Sequence, residues 1–214
     1  MPQSSTACLK PLRSNPDRPR LAPRGSMSGF TIIELMVTMV VLGLILAFGL
    51  PNLREFLVRN QAAAITTEFS SDIARARIEA ISRNNCVTIC MSSNTANALT
   101  GGTPTCATTG DNWQAGWITF SNPSCSGTQN NPTTNGSSLI SVRQAGSDAF
   151  QLKANPTAVR RFMFESRGLT NSGQSNFTLS YEPESVSSPH YRSICISSAG
   201  RVTIKEYAGV SACP

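Results

Sequence analysis

The segment from Phe30 to Leu50 constrains this chain most, because its 21 residues include a single charged side chain, that of Glu34. About 20 consecutive apolar residues form a helix long enough to cross the hydrocarbon core of a bilayer. A carboxylate inside such a segment is costly to hold in lipid and usually has a functional partner. The sequence therefore predicts a membrane-spanning helix over residues 30–50 in which Glu34 does more than anchor the chain.

The residues before this helix are basic. Residues 1–29 contain five Lys and Arg side chains against one Asp, which gives this part a net charge of +4. The positive-inside rule keeps such a segment in the cytoplasm and sends the C-terminal part of the chain across the membrane. A secretory signal is disfavoured, because its apolar region is shorter and ends in small residues. An uncleaved signal anchor remains the plainer alternative. Residues 1–26 are rich in Pro, Ser and Arg, and we expect them to be disordered.

The run from Gly29 to Leu35 (GFTIIEL), with the apolar helix behind it, resembles a type IV prepilin processing site. That family covers the type IV pilins and the pseudopilins of type II secretion. The resemblance implies that residues 1–29 are a leader, that a membrane peptidase cleaves between Gly29 and Phe30, and that the new N-terminus is methylated. A start at Met27 is the alternative, but no basic residue would then precede Gly29. The resemblance also implies that Glu34 pairs with the N-terminal amine of an adjacent subunit.

The net charge of the chain is much lower when the leader, residues 1–29, is left out. Residues 30–214 carry 13 Lys and Arg against 11 Asp and Glu, so most of the charge of +6 belongs to the leader. The high isoelectric point therefore says little about nucleic acid binding by the rest of the chain. Abundant Ser, Thr, Asn and Gly suit an extracytoplasmic β domain with long loops.

The cysteines support an exported domain. Six lie beyond the leader, and an even number in such a domain predicts disulfides with several possible pairings. They are Cys86, Cys90, Cys106, Cys125, Cys195 and Cys213. Zinc is the competing interpretation, but no Cys-x-x-Cys pair is present and His190 is the only histidine.

The chain offers little that predicts catalysis. It has no phosphate-binding loop, no metal cluster and no Ser, His and Asp at the spacing of a catalytic triad. His190 is expected in a loop, as a surface residue. We therefore predict a protein that is not an enzyme and has no cofactor.

The second half of the long helix is predicted to be amphipathic. Pro51 is expected to kink the helix rather than end it, and residues 52–84 contain no Gly or Pro. Apolar residues at helical spacing predict that residues 51–84 pack on a domain core. This stripe consists of Leu53, Phe56, Ala63, Phe69, Ile73, Ala76 and Ala80.

From Cys86 onward, short β-branched runs separated by turn residues predict antiparallel strands. The predicted strands are 86–91, 116–120, 139–143, 150–153, 161–164, 177–181, 193–197 and 201–205. A hairpin turn is predicted at residues 197–200. Two long polar loops are predicted, Ser92–Asp111 and Asn122–Ser137. Loops of this length are uncommon unless they have a function or are held in place by disulfides. The fold class is therefore α+β, with residues 85–214 forming a globular antiparallel β domain.

Four motifs in this domain resemble the minor pilins and pseudopilins called FimT, FimU and GspH. They are Cys90-Met91-Ser92 with Cys106, the run WQAGWITF at 113–120, FESRG at 164–168 and RSICISSAGRV at 192–202. The resemblance covers nearly all of residues 29–214 and implies a type IV pilin-like fold. Trp113 and Trp117 are interpreted as core aromatic residues.

The same resemblance implies a disulfide pattern. By analogy with this branch, Cys195 pairs with Cys213 and staples the C-terminal tail. Cys90 with Cys106 is the next choice, closing the first long loop. Cys86 with Cys125 then remains.

One departure from the family concerns nucleic acid. FimT-like proteins that bind DNA resemble each other in a C-terminal Gly-Arg-x-Arg, whereas this chain has Arg201 followed by Thr203. In a strand, Arg201, Thr203 and Lys205 share one face. Arg201 and Lys205 could contact two phosphates there, although a solvated strand face is the plainer interpretation.

These observations favour a minor pilin that primes or takes part in the assembly of a Gram-negative type IV pilus. The alternatives are a GspH-like pseudopilin of type II secretion and a DNA-binding pilin for natural transformation. The implied partners are other pilin or pseudopilin subunits, the prepilin peptidase, the inner-membrane assembly platform, the inner membrane and possible contact with DNA. The expected location is the inner membrane, single-pass, with a periplasmic globular domain, and then the fibre.

Overall fold

The predicted long helix begins just after the glycine of the processing motif. The computed structural model describes residues 29–182, 190–206 and 213, with the backbone alone at residues 49–52. Helix α1 spans Ile32–Ser82, is 51 residues long and continues through Pro51. It ends near the predicted stop, where Asn84 adopts a left-handed conformation with φ of 47°. The disorder expected for residues 1–26 lies outside the described residues.

The chain divides into two compact units, Met1–Ala47 and Phe48–Pro214. The described part of the first unit is the apolar beginning of α1. In the second unit, the described residues form eight strands after the rest of the helix. They are β1 Val87–Met91, β2 Trp117–Ser121, β3 Ser138–Arg143, β4 Phe150–Asn155, β5 Arg161–Phe164, β6 Ser175–Tyr181, β7 Arg192–Ile196 and β8 Val202–Glu206.

The strands form two four-stranded sheets in which every pairing is antiparallel. The first sheet has the order β3-β2-β1-β5 and the second the order β4-β6-β7-β8. Each predicted strand is present within a few residues of its expected limits. The α+β fold class, a long helix followed by antiparallel sheets, is confirmed.

The main core is built around one phenylalanine of α1. The ring of Phe69 makes edge contacts with Trp113, Trp117 and Phe177, at centroid distances of 5.6, 5.1 and 4.9 Å. All four side chains are fully buried, so the interpretation of the two tryptophans as core residues is confirmed. Edge-to-face pairs of this kind add to the free energy gained by burying the rings.

The buried face of α1 differs from the predicted stripe. The helix residues in the core are Ala62, Ile65, Phe69, Ile73, Ala76 and Ala80. Leu53, Phe56 and Ala63 are exposed, so their place in the stripe was wrong. The fully buried face begins at Ala62, with Val58 partly buried one turn earlier, and the next residue, Ala63, is turned about 100° around the helix from Ala62.

A second, smaller core lies on the other face of the first sheet. It contains Cys90, Cys106, Ile118 and Phe120, with Val142 packed against them. The two long loops meet over this face, where the Cys106 amide donates to the Asn130 carbonyl at 2.9 Å. All five residues of β1 are therefore buried, which explains its continuous apolar and β-branched sequence.

Two glycine turns meet on the side of α1. Gly200, with φ of 71°, closes the predicted hairpin turn by donating its amide to the Ser197 carbonyl at 2.8 Å. A Cβ at Gly200 would lie 2.7 Å from the Gly168 carbonyl oxygen and 2.9 Å from Cδ of Arg77. Arg77 donates from Nε to the same Gly168 oxygen at 3.1 Å. Glycine is needed at position 200 both for its backbone conformation and for this close approach.

His190 is buried, so its prediction as a surface residue was wrong. It is 4% exposed, and its ring lies 6.1 Å from that of Tyr181 in an edge contact. Tyr181 in turn contacts Phe150 at a centroid distance of 5.0 Å. The histidine therefore belongs to the aromatic packing at one end of the second sheet.

Candidate functional site

The predicted processing residues lie immediately before α1. Phe30 is 86% exposed, and the helix begins two residues later. A Cβ built on Gly29 meets no atom within 4 Å. The fold therefore places no steric demand for glycine at position 29. If a small residue is required at position 29, the requirement must come from another protein that binds this segment.

Glu34 lies in the first turn of α1. Its amide donates to Oγ1 of Thr31 at 3.2 Å, the contact by which a threonine caps a helix. A carboxylate in the first turn also interacts favourably with the positive end of the helix dipole. Within residues 29–182 and 190–206, Glu34 forms no ion pair. Its charge is available to a group from another molecule.

The apolar beginning of α1 is uncovered. Every residue from Phe30 to Phe48 is exposed, and the most apolar 18-residue window of the helix has a mean hydropathy of 2.5. A surface of this kind requires lipid or partner helices around it, because apolar side chains are driven out of water. The apolar helix and the motif before it together suggest membrane anchoring of a chain that carries a globular domain.

The six cysteines form the three pairs that the sequence and the family resemblance favoured. Cys86–Cys125, Cys90–Cys106 and Cys195–Cys213 have Cα–Cα distances of 5.3, 5.5 and 5.5 Å. The first pair joins one long loop to Cys86, just before β1, and the second joins the other long loop to Cys90, near the end of β1. The third joins residue 213 to β7. Each bridge restricts the unfolded chain and so stabilises the domain.

The predicted DNA-contact residues lie beside one another at the hairpin of β7 and β8. A cavity of about 90 Å³ is lined by Arg201, Thr203 and Lys205, with Gln174, Cys195 and Ser197 around them. In the β7–β8 register, Thr203 lies opposite Cys195 and Lys205 opposite Ser193. The structure therefore brings Arg201 and Lys205 to one side of the sheet, with Thr203 between them.

A polar cluster that the sequence did not predict joins α1 to the first sheet. The guanidinium carbon of Arg143 lies 4.6 Å from the centre of the Trp117 ring, and Arg143 Nε lies 3.2 Å from Oε2 of Glu68. Nε1 of Trp117 donates to Oδ2 of Asp72 at 2.7 Å. These partners are 45 and 75 residues apart in the chain, so no local pattern could reveal them.

The described residues offer no metal-binding group. In residues 29–182, 190–206 and 213, no three His, Cys, Asp or Glu side chains are placed to hold a metal ion. Among these residues, the features that suggest a function are instead the motif at Gly29 and Phe30, the carboxylate of Glu34 and the exposed apolar side chains of α1.

Comparison with known proteins identifies two segments. The prokaryotic N-terminal methylation motif matches residues 24–50, and the family described as type II transport protein GspH matches residues 66–200. No curated protein matches the chain significantly.

Two crystal structures of the type IV minor pilin FimU of Pseudomonas aeruginosa strain PAO1 are similar to this chain. The first is 17% identical, with a TM-score of 0.49, and the match covers 70% of this chain and 92% of that one. The second is also 17% identical, with a TM-score of 0.45, and covers 68% and 91%.

The GspH match extends over more than half of the chain, and the methylation motif covers the beginning of the apolar helix. Members of this family are structural pilin subunits rather than enzymes. The chain belongs to the GspH family of minor pilins and pseudopilins.

Proposed function

We propose that this chain is a minor pilin that primes or takes part in type IV pilus assembly after cleavage between Gly29 and Phe30. One observation carries the proposal: residues 30–48 at the beginning of α1 are apolar and uncovered, and their only charged side chain, that of Glu34, has no ion-pair partner among the described residues. Lipid of the inner membrane covers this helix first, with the globular domain in the periplasm. During assembly, helices of neighbouring subunits replace the lipid.

Glu34 sets the position of the subunit along the fibre. The methylated N-terminal amine of Phe30 in a neighbouring subunit is the cation that suits a carboxylate in apolar surroundings. Attraction between opposite charges is strong where water is excluded, and a carboxylate left unpaired there is costly. The fibre therefore favours the one register in which Glu34 meets an amine. The prepilin peptidase and the inner-membrane assembly platform are the further partners that this route requires.

The role in a pilus is tested by deleting the gene and restoring it with a tagged copy. We expect the deletion to reduce surface fibres, and the tagged chain to be present in fibres sheared from the cells. Secretion of exported enzymes should continue. Normal fibres together with failed secretion would instead indicate a pseudopilin of type II secretion, the second role known for this family.

Cleavage is expected to produce a chain that begins with N-methylated Phe30, as measured by mass spectrometry of the N-terminal peptide. Gly29→Leu should block cleavage, and Gly29→Ala should be tolerated better, because the peptidase requires a small residue before the bond. Gly43→Leu is the matched control, since a Cβ at Gly43 also meets nothing within 4 Å. Fibres that retain residues 1–29 would contradict the proposal.

A DNA-uptake role is the second candidate, favoured by the groove that Arg201 and Lys205 share. We expect such binding to be independent of sequence and to weaken with salt. Arg201→Gln should lower the slope of log affinity against log salt by about 0.9, the value for one phosphate contact on duplex DNA. Thr203→Arg should strengthen binding, and Arg59→Gln, far along α1, should change nothing. Anisotropy titrations at several salt concentrations measure this. Absence of binding by the parent chain at low salt would exclude the role.

A further inference from the structure

A second basic groove lies at the edge of the first sheet, beside the start of β5. It has a volume of about 330 Å³. Arg160 and Arg161 line it together with the hydroxyl side chains of Thr108 and Ser172 and an apolar wall that includes Ala158. None of the residues that line it is acidic. Its lining therefore combines two cations with hydroxyl groups and no counter-charge.

Backbone carbonyls hold the two guanidinium groups in place. Arg160 donates from Nε to the Gly110 carbonyl at 2.6 Å. Arg161 donates from Nη1 to the carbonyls of Gly127 and Gln129, at 3.1 and 3.3 Å. These contacts fix the side chains before any ligand arrives, so binding would cost little further side-chain entropy.

The charges of this pair are not neutralised within the described chain. Neither Arg160 nor Arg161 forms an ion pair in the ranges 29–182 and 190–206. Over the same ranges, no hydrogen bond is made by Nε or Nη2 of Arg161. Burial lowers the pKa of Arg161 from its ordinary value, because partial removal from water disfavours the charged form. A carboxylate in the groove would reverse this effect and accept the remaining N–H groups.

We propose that this groove binds the carboxylate of an Asp or Glu side chain from a neighbouring pilin subunit. The inference rests on the proposed role of the chain as a fibre subunit. A nucleic acid is the poorer ligand, because it needs a row of cations that follows its phosphates. The groove offers only two cations, and the net charge of residues 30–214 is only +2. The apolar wall suits the aliphatic stem of an acidic side chain.

Binding is tested on the full chain in detergent micelles with two blocked peptides, acetyl-Gly-Glu-Gly-amide and acetyl-Gly-Gln-Gly-amide. We expect the glutamate peptide to shift the Nε–Hε nuclear magnetic resonance signal of Arg161, and the glutamine peptide to leave it unchanged. Arg161→Gln should weaken binding about ten- to hundredfold, because it removes hydrogen bonds to a charged acceptor. Arg75→Gln, on the exposed side of α1, should not.

Arg161→Gln could also disturb the loop at Gly127 and Gln129 that Arg161 contacts. A second pair of variants therefore tests the groove while both arginines are kept. Ala158 is exposed on the wall of the groove, so Ala158→Glu places a competing carboxylate there without disturbing either arginine. Ala158→Glu should abolish binding of the glutamate peptide, whereas the isosteric Ala158→Gln should retain it. Equal binding of the two peptides would overturn the proposal. Tighter binding of inorganic phosphate than of the glutamate peptide would also overturn it, in favour of a phosphate ligand.

The amount of each variant in fibres sheared from cells distinguishes a failure of this inference from a failure of the proposed function. With the parent chain present in fibres, Ala158→Glu should lower its amount there at least about tenfold relative to Ala158→Gln, with cleavage at Gly29 unchanged. Equal amounts of the two variants would show that the groove has no role in assembly. If the parent chain itself is missing from fibres, the proposed function fails, and the groove as a subunit contact fails with it.

Discussion

Replacing Phe69 with alanine is expected to lower the free energy of unfolding by about 3–5 kcal/mol. Phe69 is fully buried and contacts Trp113, Trp117 and Phe177 within 5.6 Å, centroid to centroid. Its loss removes the residue that joins α1 to aromatic side chains of both sheets and leaves a cavity that rigid neighbours cannot fill. The measurement is urea unfolding of residues 54–214, which retain every residue of the main core.

Phe56→Ala is the matched control, because Phe56 lies on the same helix but is 59% exposed. Surface substitutions usually change stability by no more than about 0.5 kcal/mol. Helix propensity cannot cause a loss in either variant, because alanine is the better helix former, so a similar loss in both would show that burial in the aromatic core does not determine the effect. It would also contradict the central position of Phe69 in the fold.

The elements of the fold could be predicted because their signals are local. Short β-branched runs between turn residues predicted eight strands, and the hairpin turn predicted at residues 197–200 is present, with Gly200 at a positive φ of 71°. The division into two sheets could not be predicted, because it depends on which strands pair across long separations. The pairing of β1 with β5, for example, joins Val87 to Phe164.

The buried face of α1 shows the limit of periodicity. The sequence contains apolar residues all along the helix, and only the position of the sheets decides which of them are covered. Ala62 and Ile65 are in the core, whereas Leu53 and Phe56, equally apolar, are exposed. In a fibre subunit this difference is expected, since exposed apolar residues near the membrane remain free to contact other helices.

The candidate sites also differ in whether the sequence alone could reveal them. The processing motif and Glu34 lie within six residues of one another, so the sequence displays them directly. The groove of Arg160 and Arg161 is formed only when residues 107–110, 127–129 and 172 fold against the start of β5. Two adjacent arginines in a sequence do not reveal that neither forms an ion pair with any residue of the ranges 29–182 and 190–206.

Replacing Glu34 with glutamine is expected to exclude the chain from fibres. The substitution keeps the size of the side chain and removes its charge, so in the proposed register the amine of the neighbouring subunit would lose its counter-ion. Breaking a buried ion pair by removing one partner costs about 3–5 kcal/mol, equivalent to more than about a hundredfold loss of incorporation. The amount of chain in sheared fibres, measured against the amount in the membrane, gives this ratio.

Membrane insertion and cleavage of Glu34→Gln should continue, because an uncharged side chain suits lipid better than a carboxylate. This outcome would separate assembly from export, since a chain that fails to insert could not be cleaved at Gly29. Glu55→Gln is the matched control: Glu55 is an acid of the same helix, but it pairs with Arg59 at 3.1 Å on an exposed face. Exposed pairs of this kind contribute little, so Glu55→Gln should enter fibres normally. Normal incorporation of Glu34→Gln as well would mean that subunit register is set by the apolar contacts of α1 alone.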